Sequence, residues 1–442
     1  MLLGCKTMVE IKPLNGLTYN KEKIKDFSRV ISPPNDVISK QGKDQLKQGS
    51  EFNFVNLILP EGSDNDKYKN SAKTFEEWQD KNILIKDKEK TIYLYSQEYT
   101  AKKDAFARIG FISLIKLEEL GKRILPHEKV LEKDLKDRIK LISTTKANFG
   151  VPFLMYDDKE KIIDNMITKK IKESEPYMKF IDEKKVKHKL WKISDNEFIN
   201  KIKNEMKNYQ CIIADGHHRY TSDLKVKEIL GEKYGLMCFV NSYNDGMIIL
   251  PTNRIVFGLK NTDMAFIINQ LRRYFEMEEI DNINELAKKV EDTEVLINKN
   301  ENLKNHVFGF YSNINKKGYL LKLKDNNILN EFMPDKTDIY KKLDINILHK
   351  IIIEKILGIT EDQQKNRENI DFIKGNEETI EKMKDENIQF CFFVNPPLMR
   401  EVFLTARASE TMPQKSTYFF PKVYSGLVTY KFEENNDELM EE

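Results

Sequence analysis

Cys211-Ile212-Ile213-Ala214-Asp215-Gly216-His217-His218-Arg219-Tyr220-Thr221 is the stretch on which the fold and the chemistry of this chain turn. Cys211 to Ala214 is a short apolar run with the character of a buried strand. Asp215-Gly216 is a turn signal, and Thr221 to Leu230 has helical spacing. The predicted layout is strand, tight turn and helix N-terminus, with two imidazoles and a guanidinium at the junction. A helix start presents N–H groups that lack intrahelical partners, at the positive end of the dipole, so it suits anions. Arg219 adds a planar fork matched to phosphate oxygens. The chain has six histidines and spends two of them side by side here. A polar surface turn is the alternative.

Working outward, Phe54 to Leu59 reads as a strand stopped by Pro60, and Tyr68 to Lys81 as a helix through Ala72, Phe75 and Trp78. Thr91–Gln97 and Ala105–Leu114 alternate as strands, Glu132–Leu141 is helical, and Val151–Tyr156 returns to a strand. After the central motif, Leu236–Asn241 and Met247–Leu250 are expected to pair around Tyr243-Asn244-Asp245-Gly246. From about residue 261 come a helix (Met264–Phe275), a hairpin (Val307–Tyr311 with Gly318–Leu323), helices at Ile345–Leu357 and Glu378–Lys384, and a buried strand at Ile388–Val394. The expectation is an α+β (mixed α/β) protein in three parts. Residues 1–260 form the core, 261–340 an α/β subdomain, and 341–442 helices and strands that return to the core.

Net charge is +2 from 73 basic and 71 acidic residues in 442, so no global field draws the chain to nucleic acid or membrane. Four scattered cysteines without a C-x-x-C pair point to free thiols in a reducing compartment. No apolar run approaches the ~20 residues that span a bilayer. Met1-Leu2-Leu3-Gly4-Cys5-Lys6 resembles the end of a lipoprotein signal without the apolar segment that should precede it. A cytoplasmic protein is expected.

Other constellations carry weaker signals. Pro126-His127-Glu128 is a loop with an imidazole and a carboxylate, followed by a charged helix with Lys133, Asp134, Asp137 and Arg138. A carboxylate suits magnesium, and either group can serve as a base. For Lys133 to Arg138 alone, a solvated helix face with routine i, i+4 pairing is the stronger reading. Lys415-Ser416-Thr417 could line a phosphate pocket, but without the glycines of a Walker loop, composition favours a polar turn. Arg254, after Pro251-Thr252-Asn253, is balanced between a basic site and a surface turn. His188, His306 and His349 are expected to be structural. The identity of any metal ligand stays open.

Taken in order, P-P-N-D-V-I-S (from Pro33), the R-x-x-P-H-E loop with Lys133, Asp137 and Arg138, A-N-F-G-V-P-F-L with Asn148, A-D-G-H-H-R-Y, and M-P-Q-K-S-T-Y-F-F-P-K-V-Y-S-G-L-V form one pattern. The chain resembles the family catalogued as domain of unknown function 1015 over nearly its whole length, about Lys12 to Val428. The family usually has Tyr where Asn35 stands and His where Asn253 stands. The D-G-H-H-R core is also similar to the phosphate-holding turn of ParB/sulfiredoxin-like proteins, some of which are free-serine kinases. That second resemblance covers some twenty residues and is an analogy of site.

It implies a ParB/sulfiredoxin-like nucleotide-binding core and a kinase acting on a small hydroxyl metabolite, with free L-serine the leading acceptor. Gly216, His217, His218 and Arg219 would hold phosphate, with Arg219 stabilising the transferred group. Glu128 or Asp215 would orient the acceptor or bind magnesium, and Lys415, Ser416 and Thr417 would close over phosphate. His127, Asp137, Arg138, Asn148 and Arg254 are further candidates. The expected co-substrate is ATP or ADP with Mg2+. A phosphate-ester or nucleotide hydrolase is one alternative. A ParB-like DNA-associated protein is another, and neutral charge and the lack of a helix-turn-helix argue against it. The Glu128 loop and the Asp215–Arg219 turn are expected to serve one site.

Overall fold

The computed structural model describes residues 9–433 apart from 64, 131, 261, 300–304 and 414. The Met1–Lys6 segment lies outside the described residues. The chain is an α+β protein whose contacts divide it into two compact units. The first comprises Met1–Pro126, Val130–Met247 and Pro421–Glu442, and the second His127–Lys129 and Ile248–Phe420. The sequence reading set boundaries at residues 260 and 340; the contacts divide at Met247–Ile248 and again at Phe420–Pro421.

The first unit is built on a nine-stranded mixed sheet. Its strands are β1 (Ile11–Lys12), β2 (Ile92–Ala101), β3 (Asp104–Lys116), β4 (Ile124–Leu125), β5 (Phe153–Tyr156), β6 (Met178–Ile181), β7 (Lys187–Ile193), β8 (Cys211–Asp215) and β9 (Tyr234–Asn241). The order is β4-β8-β5-β9-β3-β2-β7-β6, with β1 added beside β3. β8 runs parallel to β4 and antiparallel to β5, and β5 runs parallel to β9. β8 is therefore an interior strand, which explains the continuous apolar run Cys211–Ala214, every residue of it buried.

Among the helices of this unit are α1 (Asp66–Asp80), α2 (Glu132–Thr145), α3 (Ile162–Lys170), α4 (Asn196–Met206) and α5 (His217–Leu230). α4 starts at Asp195, whose carboxylate caps the N–H groups of Glu197 and Phe198. Phe198, Ile199, Ile202 and Met206 then repeat at three- and four-residue spacing and join Ile163 and Ile167 of α3 in the core under the sheet. Each such side chain contributes about 1.5–3 kcal/mol by leaving water.

Two local expectations are corrected. Phe54–Leu59 is not a strand: Val55–Ile58 is a short helix, its first N–H capped by the Asn53 side chain at 3.0 Å. A brief apolar run that is buried on all sides has no period with which to separate strand from helix. Ile248–Leu250 does form a strand, but it pairs with Tyr418–Phe420 and not with Leu236–Asn241.

The second unit holds a six-stranded antiparallel sheet in the order Phe275–Ile280, Lys317–Leu323, Val307–Ser312, Ile388–Val394, Thr252–Phe257, Ile370–Lys374. The expected hairpin is present, with Phe310 opposite Tyr319. The apolar helix at 345–357 is α-helical only over Asp344–Ile347 and continues as a π-helix, Leu348–Ile356.

Candidate active site

In the first unit, β8 ends at Asp215 and α5 begins at His217, so a single residue makes the turn. Gly216 has φ +89°, a left-handed conformation that disfavours any side chain. The Arg219 guanidinium fills the space a Cβ would need: Nε would lie 2.9 Å from it and Cζ 3.0 Å. Gly150 makes the same allowance on the other flank, where a Cβ would meet Arg219 Cδ at 2.9 Å. The glycine cap has no side chain to occupy the first N–H groups of α5.

Arg219 is 8 % exposed and held at two points. Its Nη2 donates to Asp215 Oδ2 at 2.5 Å and its Nη1 to the Val151 carbonyl at 3.1 Å. Lys422 Nζ donates to the other oxygen of Asp215. Two cations thus converge on one carboxylate at a helix start, and the turn is net positive. His217 is buried and His218 half-buried in the first turn of α5. Arg108, also buried, is fixed by Gln97 Oε1 and the Pro421 carbonyl, next to Lys422 in sequence.

A cavity opens in the same unit, lined among others by Asn35, Arg138, Asn148, Gly150, Arg219 and Asp223. Leu141, Ile142 and Phe149 form its apolar wall. Arg138 of α2 donates through Nε to Asp137 at 2.9 Å and through Nη1 to the Ile58 carbonyl at 2.8 Å. Asp137 also accepts from Lys67 Nζ and Tyr68 Oη, each at 2.8 Å. Burial works to raise the Asp137 carboxyl, but the charge of Arg138 and these bonds outweigh it and hold it far below the usual range. Asp137 is thereby the anchor of Arg138. Asp223 of α5 is 4 % exposed and accepts from Asn148 Nδ2 at 2.8 Å. Burial pushes its carboxyl up to about 8, against the opposing pull of Asn148 and Arg219.

A second polar cluster is internal to the second unit. His127, fully buried, bonds through Nε2 to Thr417 Oγ1 at 2.9 Å and meets Phe419 edge-on. Its carbonyl accepts from Met412 N at 2.8 Å. Glu128 Oε1 accepts the N–H of Lys415 at 3.1 Å, and Ser416 Oγ donates to the Pro413 carbonyl at 2.5 Å. Lys415 has φ +57°. Arg254 is fully buried over the Phe372 ring, 4.8 Å from its centroid, and its Nη2 reaches the Lys415 carbonyl at 3.5 Å. Burial lowers Arg254 to about 9, with the Glu128 charge opposing. Arg254 Nε donates to His349 Nε2 at 3.0 Å, so the His349 proton sits on Nδ1 and goes to Gln364 Oε1. Burial, then Arg254, depresses His349 to about 3.

The six candidates Asp215, Gly216, Arg219, Arg138, Asp137 and Asn148 accordingly belong to the first unit, with His217 and His218. His127, Glu128, Arg254, Lys415, Ser416 and Thr417 belong to the second, where they form one hydrogen-bonded cluster. The helix face bearing Lys133 and Asp134 is formed, but those two side chains lie outside the described residues. Asn253 is a framework residue: its amide donates to Gly375, Asn376 and Thr379, and its oxygen accepts from Val394 N. His188 is stacked on Phe180 at 4.4 Å between Tyr95 and Asp182, and His306 is bonded to Asp344, as structural residues are.

Sequence reasoning missed Lys422 and Asp223. Lys422 follows an aromatic run and lies 207 residues from its partner. Asp223 stands four residues after Arg219, a spacing that reads as an ordinary helix pair. Among the described residues no helix is long and apolar enough to cross a membrane, and no group of three or more His, Cys, Asp or Glu could hold a metal.

Among solved structures, a free serine kinase in complex with AMP is similar at 15% identity and TM-score 0.34, covering 69% of this chain and 92% of that one. A conserved hypothetical protein from Pyrococcus furiosus matches at 14% identity and TM-score 0.34, over 70% and 92% of the two chains. SbnI from Staphylococcus aureus, with a C-terminal truncation, matches at 10% identity and TM-score 0.34, over 71% and 85%. Likeness at this level carries no activity across. No curated protein matches. The family model described as a protein of unknown function, DUF1015, matches residues 11–346, and the chain belongs to that family.

Proposed function

We propose that the chain is a nucleotide-dependent kinase that moves a phosphoryl group from ATP or ADP to the hydroxyl of a small metabolite, with free L-serine as acceptor. The observation that carries this reading is the convergence of Arg219 and Lys422 on Asp215 at the glycine-capped start of α5. Phosphoryl transfer asks a protein for positioning and charge neutralisation more than for covalent chemistry. Backbone N–H groups from Gly216 to Arg219 cradle the phosphates, with His217 and His218 on their oxygens. Arg219 leaves Asp215 in part to meet the charge of the transferred group, while Lys422 keeps Asp215 paired.

Glu128 is assigned as the base that takes the acceptor proton, on its chemistry alone. Ser416 and Thr417 spend their hydroxyls on Pro413 and His127, so Lys415 is the member of that run left for phosphate. Magnesium arrives with the nucleotide. It commonly rests on one or two carboxylates, phosphate oxygens and water, so a cage of protein ligands is not required. The D-G-H-H-R resemblance to free-serine kinases supports the choice of acceptor.

The test is to incubate the protein with ATP or ADP, Mg2+ and a panel of hydroxyl metabolites and follow phosphorus by NMR. A new phosphate ester with L-serine is the expected product. Free phosphate alone would make the protein a hydrolase, and unchanged nucleotide would refute the reading.

A further inference from the structure

The cavity beside the Gly216 turn holds a group that the reading above does not use. Asp223 is one helical turn beyond Arg219, so the two side chains share a face of α5. Its neighbour Asn148 is fixed in orientation, since Asn148 Oδ1 accepts from Leu236 N at 3.2 Å and Nδ2 must point to Asp223 Oδ1. Among the described residues Asp223 Oδ2 accepts no hydrogen bond. A carboxyl group that is more than nine-tenths buried, with one oxygen unpartnered, therefore lines a cavity. The same cavity exposes Arg138 from α2 and Arg219 from α5. Arg219 commits two of its five N–H groups to Val151 and Asp215, and the others remain for a ligand.

One acid, two guanidiniums and an apolar wall of Leu141, Ile142 and Phe149 define a ligand with a cation at one end, an anion at the other and little bulk. We propose that this cavity binds a small α-amino acid, with the ligand's ammonium on Asp223 and its carboxylate on Arg138. The amino-acid class follows from the charges of the cavity, and only the choice of serine rests on the kinase reading. The side-chain hydroxyl of the bound amino acid then lies toward Arg219, the group assigned to the transferred phosphate.

The protonation state of Asp223 gives the idea a signature. With its carboxyl raised to about 8, Asp223 is neutral at pH 7 in the empty cavity. The charged groups that face it are Arg219 on its own helix and Arg138 on α2, and Asn148 is neutral. An ammonium arriving at Oδ2 favours the anion, so the carboxyl O–H bond breaks and its proton leaves to solvent as the ion pair forms.

Calorimetry on the full chain, without nucleotide, tests this with L-serine, L-alanine and glycerate in two buffers of different ionisation enthalpy. L-Alanine keeps the ammonium and carboxylate and is expected to bind as serine does. Glycerate lacks the ammonium and is expected not to bind. At pH 7 binding should release close to one proton per ligand, and at pH 9 there should be no net release. Asp223→Asn should weaken L-alanine about 100-fold, the scale of unpairing a buried charge. The proton count on the unmutated protein keeps the test valid if that variant folds poorly. Absence of L-alanine binding, or binding without proton release and unchanged in Asp223→Asn, overturns the inference. If serine is phosphorylated while L-alanine fails to bind, the inference falls and the kinase reading stands. If L-alanine binds through Asp223 and no phosphate ester forms, the kinase reading falls and the amino-acid site stands.

Discussion

Asp223→Asn should alter the way the first unit's stability depends on pH. In the folded protein the Asp223 carboxyl is raised to about 8 by burial, from an ordinary value of 3.8. Between those limits the folded state keeps a proton that the unfolded chain has already lost. Stability is therefore full below about pH 4 and falls as pH rises through 8, by ~1.4 kcal/mol for each pH unit inside the window. Asn carries no proton and removes that slope. Asp164, raised to about 6 mainly by burial, adds a slope below pH 6, but it is present in both proteins and cancels in their difference. From pH 6 to pH 7.5 the variant should gain about 2 kcal/mol relative to wild type. Both tryptophans, Trp78 and Trp191, lie in the first unit, so their fluorescence in a urea titration reads that unit. Parallel stability curves for the two proteins over this interval would show that Asp223 is ionised in the fold, and would sink the argument.

Three further outcomes are expected. Arg219→Ala should cost ~10³-fold or more in turnover, the scale of an arginine that acts on a transferring phosphoryl group, and Arg219→Lys should restore little because the fork is lost; retention of more than roughly a tenth of the activity would mean that the cradle is misplaced. Glu128→Gln should slow transfer by ~10²- to 10⁴-fold while calorimetry finds nucleotide affinity unchanged, and untouched turnover would pass the role of base to Asp215 or Asp137. Gly110→Ala should destabilise the first unit by about 1–3 kcal/mol, because the added Cβ runs into the Phe239 carbonyl oxygen of the neighbouring strand. An unaltered urea midpoint for that variant would contradict the β3–β9 register.

The strand–turn–helix of residues 211–230 was legible because three local signals agree: an apolar run, an Asp-Gly turn signal, and helical spacing. The register of Ile248–Leu250 was not, because its partner strand lies some 170 residues downstream and nothing local encodes it. Phe54–Leu59 was misread as a strand for want of a polar face. Arg219, Arg138 and Asn148, chosen for chemical type, line one cavity of the first unit. Asp137 and Asn253 turned out to spend their polarity on anchoring neighbours. Asp223 escaped notice because its significance lies in its burial, which an isolated Asp in a charged helix does not announce.

The first unit is discontinuous in sequence: Pro421–Glu442 completes it only after Ile248–Phe420 has built the second. That order matters during synthesis. When the ribosome has delivered Met247, the residues of the Gly216 turn have been made, but Lys422, the second cation on Asp215, has not. Nor has the Tyr430–Lys431 strand that pairs with Ala147–Asn148 beside the cavity. At ~5–20 residues per second the intervening 170 or so residues take roughly 10–35 s. For that interval the nascent chain has Arg219 but not Lys422 to set against Asp215, and its cavity lacks a flanking strand. The second cation on Asp215 and the strand flanking the cavity are therefore the last parts of the first unit to be made.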